Sequence, residues 1–149
     1  MDGVKQIDLG GIEVSAPASW YDITDEVEGE NPPYTLAEPE EGVGALQFSS
    51  AIHKGGVVPA PSPDDLRNMA LDFGKRRSLG DAFDQQIFAN GMLRGAGVSY
   101  RWEEDFIRVW YVSDGRNLVF ITYVCDWVSR DRELSTCGNI VKSLRFGPC

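Results

Sequence analysis

Histidine occurs once in these 149 residues, as His53, so a Ser-His-Asp or Cys-His relay has to use that side chain or not exist. Cysteine is sparse and odd in number: Cys125, Cys137 and Cys149 form no CxxC pair and lack the spacing of a zinc site. Cys125 and Cys137 read as small core hydrophobes, and a bridge between them would need an oxidising compartment. No apolar run approaches the length of a membrane span, and Met1–Gln6 has neither the basic start nor the apolar stretch of a signal peptide. A soluble, cytoplasmic protein without membrane insertion is expected. Gly42-Val43-Gly44 and Gly95-Ala96-Gly97 lack the third glycine of a dinucleotide fingerprint, and no GxxxxGK[ST] loop is present. No cofactor and no metal are expected.

The other scarcity is local. Between residues 1 and 53 Lys5 is the only cation against eleven carboxylates, while residues 54–149 hold 13 basic and 12 acidic side chains. The formal net charge of −9 therefore originates in the first third. Eight acids (Asp22, Asp25, Glu26, Glu28, Glu30, Glu38, Glu40 and Glu41) fall in a stretch with no Lys or Arg. They do not follow EF-hand spacing. Such a field repels nucleic acid and anionic lipid and draws in a cationic partner, unless it serves only as a solvated loop.

Length and composition fit one domain over residues 1–149, with 42% hydrophobic and 25% charged residues and no internal repeat. Lys5–Leu9 and Ile12–Val14 alternate apolar with polar around Gly10-Gly11, which predicts a tight hairpin. Ala16-Pro17-Ala18-Ser19-Trp20 follows as a stiff turn whose Trp plugs the core edge. Tyr34–Ala37 and Gly44–His53 read as strands, and 55–61 as a Gly/Pro-rich linker. Ser62, Pro63 and Asp65 form a helix start with a capping box, and Leu66, Met69, Ala70 and Phe73 make one apolar stripe in a helix over 62–79 stopped near Gly80. Leu66, Met69 and Phe73 should all face the sheet.

From Gln85 an antiparallel meander is expected: 85–89, 97–103, 106–112 and 118–126, with Asp114-Gly115 at a hairpin turn. Both faces of these strands are apolar, so layers must cover the sheet on both sides. Ser129 is the expected cap of a second helix over 129–144, with a stripe of Leu134, Cys137, Ile140, Val141 and Leu144. Trp102 and Trp110 lie on adjacent strands with Arg101 and Arg108 nearby. They form either an aromatic and cationic binding platform or the filling beneath a helix.

The order of hairpin, Pro-x-x-Trp turn, strands, helix, meander and C-terminal amphipathic helix resembles the PsbP/DcrB-like superfamily of small α/β/α sandwiches. Ile12-Glu13-Val14 running into Pro17–Trp20, the strand Leu118–Tyr123 and Ile140–Leu144 carry the likeness. The resemblance implies an α+β fold with a central, mainly antiparallel sheet of about five to seven strands flanked by two helices. It also implies a protein-binding role without catalysis, as in assembly factors and chaperones of bacterial secreted toxins. The expected function is an immunity, adaptor or chaperone-type module, monomeric or homodimeric, that meets a protein with a basic surface through the acidic 22–41 segment. The alternative is a small-ligand-binding protein or hydrolase with a pocket between the sheet and that segment.

Overall fold

The computed structural model describes residues 3–30, 32–51 and 61–146. His53, Cys149 and nearly all of the 55–61 linker lie outside the described residues. Strands β1 (Val4–Asp8) and β2 (Ile12–Pro17) form the opening hairpin, closed by the Leu9 amide donating to the Ile12 carbonyl at 2.8 Å. Gly10 and Gly11 both take positive φ (69° and 104°), which is why two glycines stand there. Four elements follow: β3 (Tyr21–Asp22), a 3-10 turn at Thr24–Glu26, β4 (Tyr34–Ala37) and β5 (Gly44–Ala51). After helix α1 (Pro63–Arg76) comes the meander β6 (Phe83–Asn90), β7 (Leu93–Trp102), β8 (Asp105–Ser113) and β9 (Leu118–Asp126). A 3-10 turn at Trp127–Ser129, helix α2 (Leu134–Lys142) and β10 (Arg145–Phe146) end the described chain.

Seven strands form the large sheet in the order β3-β4-β5-β9-β8-β7-β6, and every neighbouring pair is antiparallel. A separate sheet, β1-β2-β10, joins the two ends of the described chain. The large sheet is two-faced, as its sequence requires. Phe106, Trp110 and Val112 pair across to Cys125, Ile121 and Val119 on a face that packs against the small sheet and α2, through Leu9, Val14, Cys137 and Ile140. The opposite face presents Val98, Tyr100 and Val109 to Ala70 and Leu79 beneath α1. The result is an α+β sandwich with helices on both sides of a seven-stranded antiparallel sheet.

Both helices are shorter than the apolar pattern suggests, for local reasons. Helix α1 starts as expected: the Ser62 hydroxyl accepts from the Asp65 amide, and the Asp65 carboxylate accepts from the Ser62 amide. It ends at Arg76, because Ser78 already adopts a left-handed φ of 56°, two residues before Gly80. Its fully buried side is Leu66, Ala70 and Gly74, while Met69 and Phe73 are only half-buried. The expectation that Leu66, Met69 and Phe73 face the sheet holds for Leu66 and for Phe73, which packs half-buried on Phe120 of β9, while Met69 sits at the flank. In α2, Ser129 is not the cap. It closes the preceding 3-10 turn, and Glu133 occupies the N-cap position without a side-chain capping bond. The Glu133 carboxylate is drawn elsewhere, accepting from the Tyr123 hydroxyl at 2.8 Å and the Val43 and Gly44 amides at 3.2 Å. Arg145 and Phe146 pair with β2 rather than extending the helix.

Candidate functional site

The eight acids of 22–41 fall in two connections: Asp22 to Glu30 run from β3 towards β4, and Glu38, Glu40 and Glu41 stand in the turn between β4 and β5. Asp22 and Glu38 are used locally. The Asp22 carboxylate accepts from the Thr24 amide and hydroxyl, and Glu38 accepts from the Glu40 and Glu41 amides. The segment also seals the edge it borders, because the Ile23 amide donates to the Thr35 carbonyl and the Thr24 hydroxyl accepts from the Thr35 amide. Asp25, Glu26, Glu28, Glu30, Glu40 and Glu41 are exposed, and none of the eight pairs with a cation among the described residues.

The aromatic pair does not form one platform. Trp110 pairs opposite Gly97, and Trp102 stands five residues further along β7, so the two project from opposite faces of the sheet. Trp110 is buried on the α2 side. Trp102 is 44% exposed on the α1 side, in a shallow groove with Phe73, Ile107, Phe120 and Val124. Arg101 is exposed and stacks on Trp127 with its guanidinium carbon 4.4 Å from the ring centre, while Arg130 lies 4.0 Å from the same ring. Trp127, held between two guanidinium groups, is the cationic and aromatic assembly that the sequence pattern did not single out. The cue was present: Arg130 stands three residues beyond Trp127 and donates to its carbonyl at 2.8 Å.

Arg108 is the largest departure from expectation. It is only 3% exposed, because strand parity puts it on the core face between Phe106 and Trp110. Its Nη1 donates to the Asp84 carbonyl and to the Ser99 hydroxyl (2.9 Å), and its Nη2 lies 3.4 Å from Gln86 Oε1. The Asp84 carboxylate stands at 3.5 Å, and the Trp110 ring centre at 5.5 Å. Its Nε has no hydrogen-bond partner. Burial pulls this guanidinium below its ordinary pKa, and the Asp84 charge opposes that shift only in part. The strand it holds is itself distorted: β6 carries an irregularity between Phe83 and Gln86, and Asp84 has a φ of 50°.

These groups line a cleft of about 370 Å³ between β6–β8 and α2, walled on the helix side by Asp131, Leu134, Ser135, Gly138, Asn139 and Lys142. This cleft lies at the β6–β8 end of the sheet, away from residues 22–41. Its floor depends on Gly97, where a Cβ would come within 2.7 Å of the Trp110 indole and 2.9 Å of Arg108 Nη2. The two described thiols offer no nucleophile here. Burial raises the pKa of both Cys125 and Cys137, and both are free. No described helix is long and apolar enough to cross a membrane.

No protein-family profile and no curated protein sequence matches the chain. Solved structures do. The solution structure of cyanobacterial PsbP (CyanoP) from Synechocystis sp. PCC 6803 superposes with a TM-score of 0.64 at 12% identity, covering 98% of this chain and 94% of that one. A Bacteroides thetaiotaomicron protein gives 0.64 at 13% identity, over 99% of this chain but 50% of its own. The Ran-binding protein Mog1p of Saccharomyces cerevisiae gives 0.61 at 11% identity, over 98% and 96%. Likeness at this level of identity speaks for architecture, and it agrees with the two-faced sheet, its two helices and the hairpin layer: this chain has the PsbP-like fold.

Proposed function

We propose that the chain is a protein-binding module without catalysis, which meets a partner with a basic surface through the acidic edge at β3–β4. The observation that carries this reading is the six exposed carboxylates between residues 25 and 41, none in an ion pair among the described residues, on a chain whose surplus charge all comes from its first third. A one-signed edge of this kind raises association rates and rejects partners of like charge. The yeast neighbour is named for binding Ran, which supports a binding role for the fold without naming a partner for this chain. The finer version is an immunity, adaptor or chaperone-type protein that engages a secreted toxin or effector in the cytoplasm. It rests on the family resemblance.

The test is a variant with Asp25, Glu26, Glu28 and Glu30 all changed to Lys. These exposed charges contribute little to stability, so circular dichroism and melting should match the parent. Affinity capture from the native host at low and high salt should recover a basic protein with the parent chain, lose it with the variant, and weaken it with salt. Equal recovery by both chains would refute the acidic edge as the docking surface.

A further inference from the structure

Several costly features converge on the Arg108 cleft. A guanidinium is buried with one nitrogen unpartnered, a non-glycine residue sits at positive φ, a strand is irregular, and a glycine is required by the side chains beneath it. Each costs stability, and such costs gather where a protein holds something. The wall opposite adds a charge pattern. Asp131 lies just before α2 and Lys142 is its last residue, and neither has an oppositely charged partner among the described residues. The helix between them rises roughly 12 Å at 1.5 Å per residue.

From this we infer that the cleft binds a short zwitterionic ligand, of the size and charge separation of an extended tripeptide. Its ammonium end lies towards Asp131, its carboxylate towards Lys142, and its middle over Trp110 and Phe88. Three extended residues span roughly 10 Å, which fits within the roughly 12 Å rise of the helix wall. Arg108 is tied to the Asp84 carbonyl and lies 3.5 Å from its carboxylate, so this pair stays on the floor and leaves the end charges to the helix wall. This site is separate from the acidic edge, so failure of either reading leaves the other standing.

Trialanine titrated into the isotope-labelled chain tests the inference. The Trp110 indole N–H resonance should shift with saturation, while that of Trp102, on the opposite face, should not. Trialanine acetylated at its N-terminus and amidated at its C-terminus should bind at least tenfold more weakly. Lys142→Glu should cost about fivefold or more, the scale of one exposed charge pair and its reversal. Gly138 lines the cleft, and a Cβ there would meet nothing within 4 Å, so Gly138→Leu should keep the fold and block binding by filling the space. No movement of the Trp110 resonance, equal binding of the capped peptide, or unchanged binding in Gly138→Leu would each overturn the proposal.

Discussion

Gly74 in α1 offers a test in which two rules of thumb predict opposite signs. In an exposed helix interior, Gly→Ala stabilises by about 1 kcal/mol, because alanine restricts the unfolded chain and favours the helix. Here the new methyl would fall inside the contact distance of the Tyr100 ring. That ring cannot simply move aside. It is buried with Ala70, Val98 and Val109, and its hydroxyl donates to the Ala70 carbonyl at 2.9 Å. Overpacking of this kind costs about 1–3 kcal/mol, and a weakened buried hydrogen bond adds about 1 kcal/mol. The balance is a net loss of about 1–3 kcal/mol for Gly74→Ala after the helix gain is subtracted. In a Tyr100→Leu background the clashing ring atoms are gone, so the same change should stabilise by about 0.5–1 kcal/mol. Urea unfolding of the four chains of this double-mutant cycle, with slopes checked for constancy, reads both signs. If Gly74→Ala stabilised the chain with Tyr100 intact, the close seating of α1 on β7 would be wrong.

Three further outcomes follow from burial and charge. Phe73→Ala should cost about 2 kcal/mol, less than the 3–5 of a fully buried ring, because Phe73 is half-buried against Phe120 with ring centres 5.2 Å apart. Asp72→Ala should stay within about 0.5 kcal/mol despite the 2.7 Å pair with Arg76, since both side chains are largely exposed; urea midpoints for the two variants check the order. Burial also lifts Cys125 and Cys137 above their ordinary 9.0, and Tyr100, Tyr111 and Tyr123 above 10.0. The unfolded chain ionises first, so this contribution is complete below about pH 9 and lost as pH rises further. The urea midpoint should therefore fall between about pH 9 and pH 10.5. A flat profile would show these groups to be solvated in the fold.

The local signals were legible and the distant ones were not. Gly10-Gly11, the Ser62–Asp65 box and Asp114-Gly115 act within four residues, and each is where the sequence puts it. The apolar residues on both faces of β8 and β9 likewise announced a sheet covered on both sides. Nothing in the sequence announced that β5 would sit between β4 and β9, or that Arg145 and Phe146 would return to β2, because those choices balance contacts between segments far apart in the chain. Glu133 falls inside the expected 129–144 helix, and its use by Tyr123, Val43 and Gly44 depends on separate elements meeting. Arg108 was misjudged because arginine is usually a surface residue. Parity with Phe106, Trp110 and Val112 was the available cue, and it outweighed residue type.

The three-stranded layer has a consequence for the order in which the protein is made. Leu9, Ile12 and Val14 are buried against Cys137, Ile140 and Val141, and the Ser15 amide donates to the Ser143 hydroxyl at 2.8 Å. That hairpin is thus completed only by a helix and strand that leave the ribosome more than a hundred residues after it. Through most of synthesis its apolar side has no cover, the situation in which nascent chains stick to one another. The first 53 residues, which begin with that hairpin, hold eleven carboxylates against a single lysine. Repulsion among those charges opposes contact between neighbouring nascent chains, so the charge that marks the finished surface also guards the unfinished one.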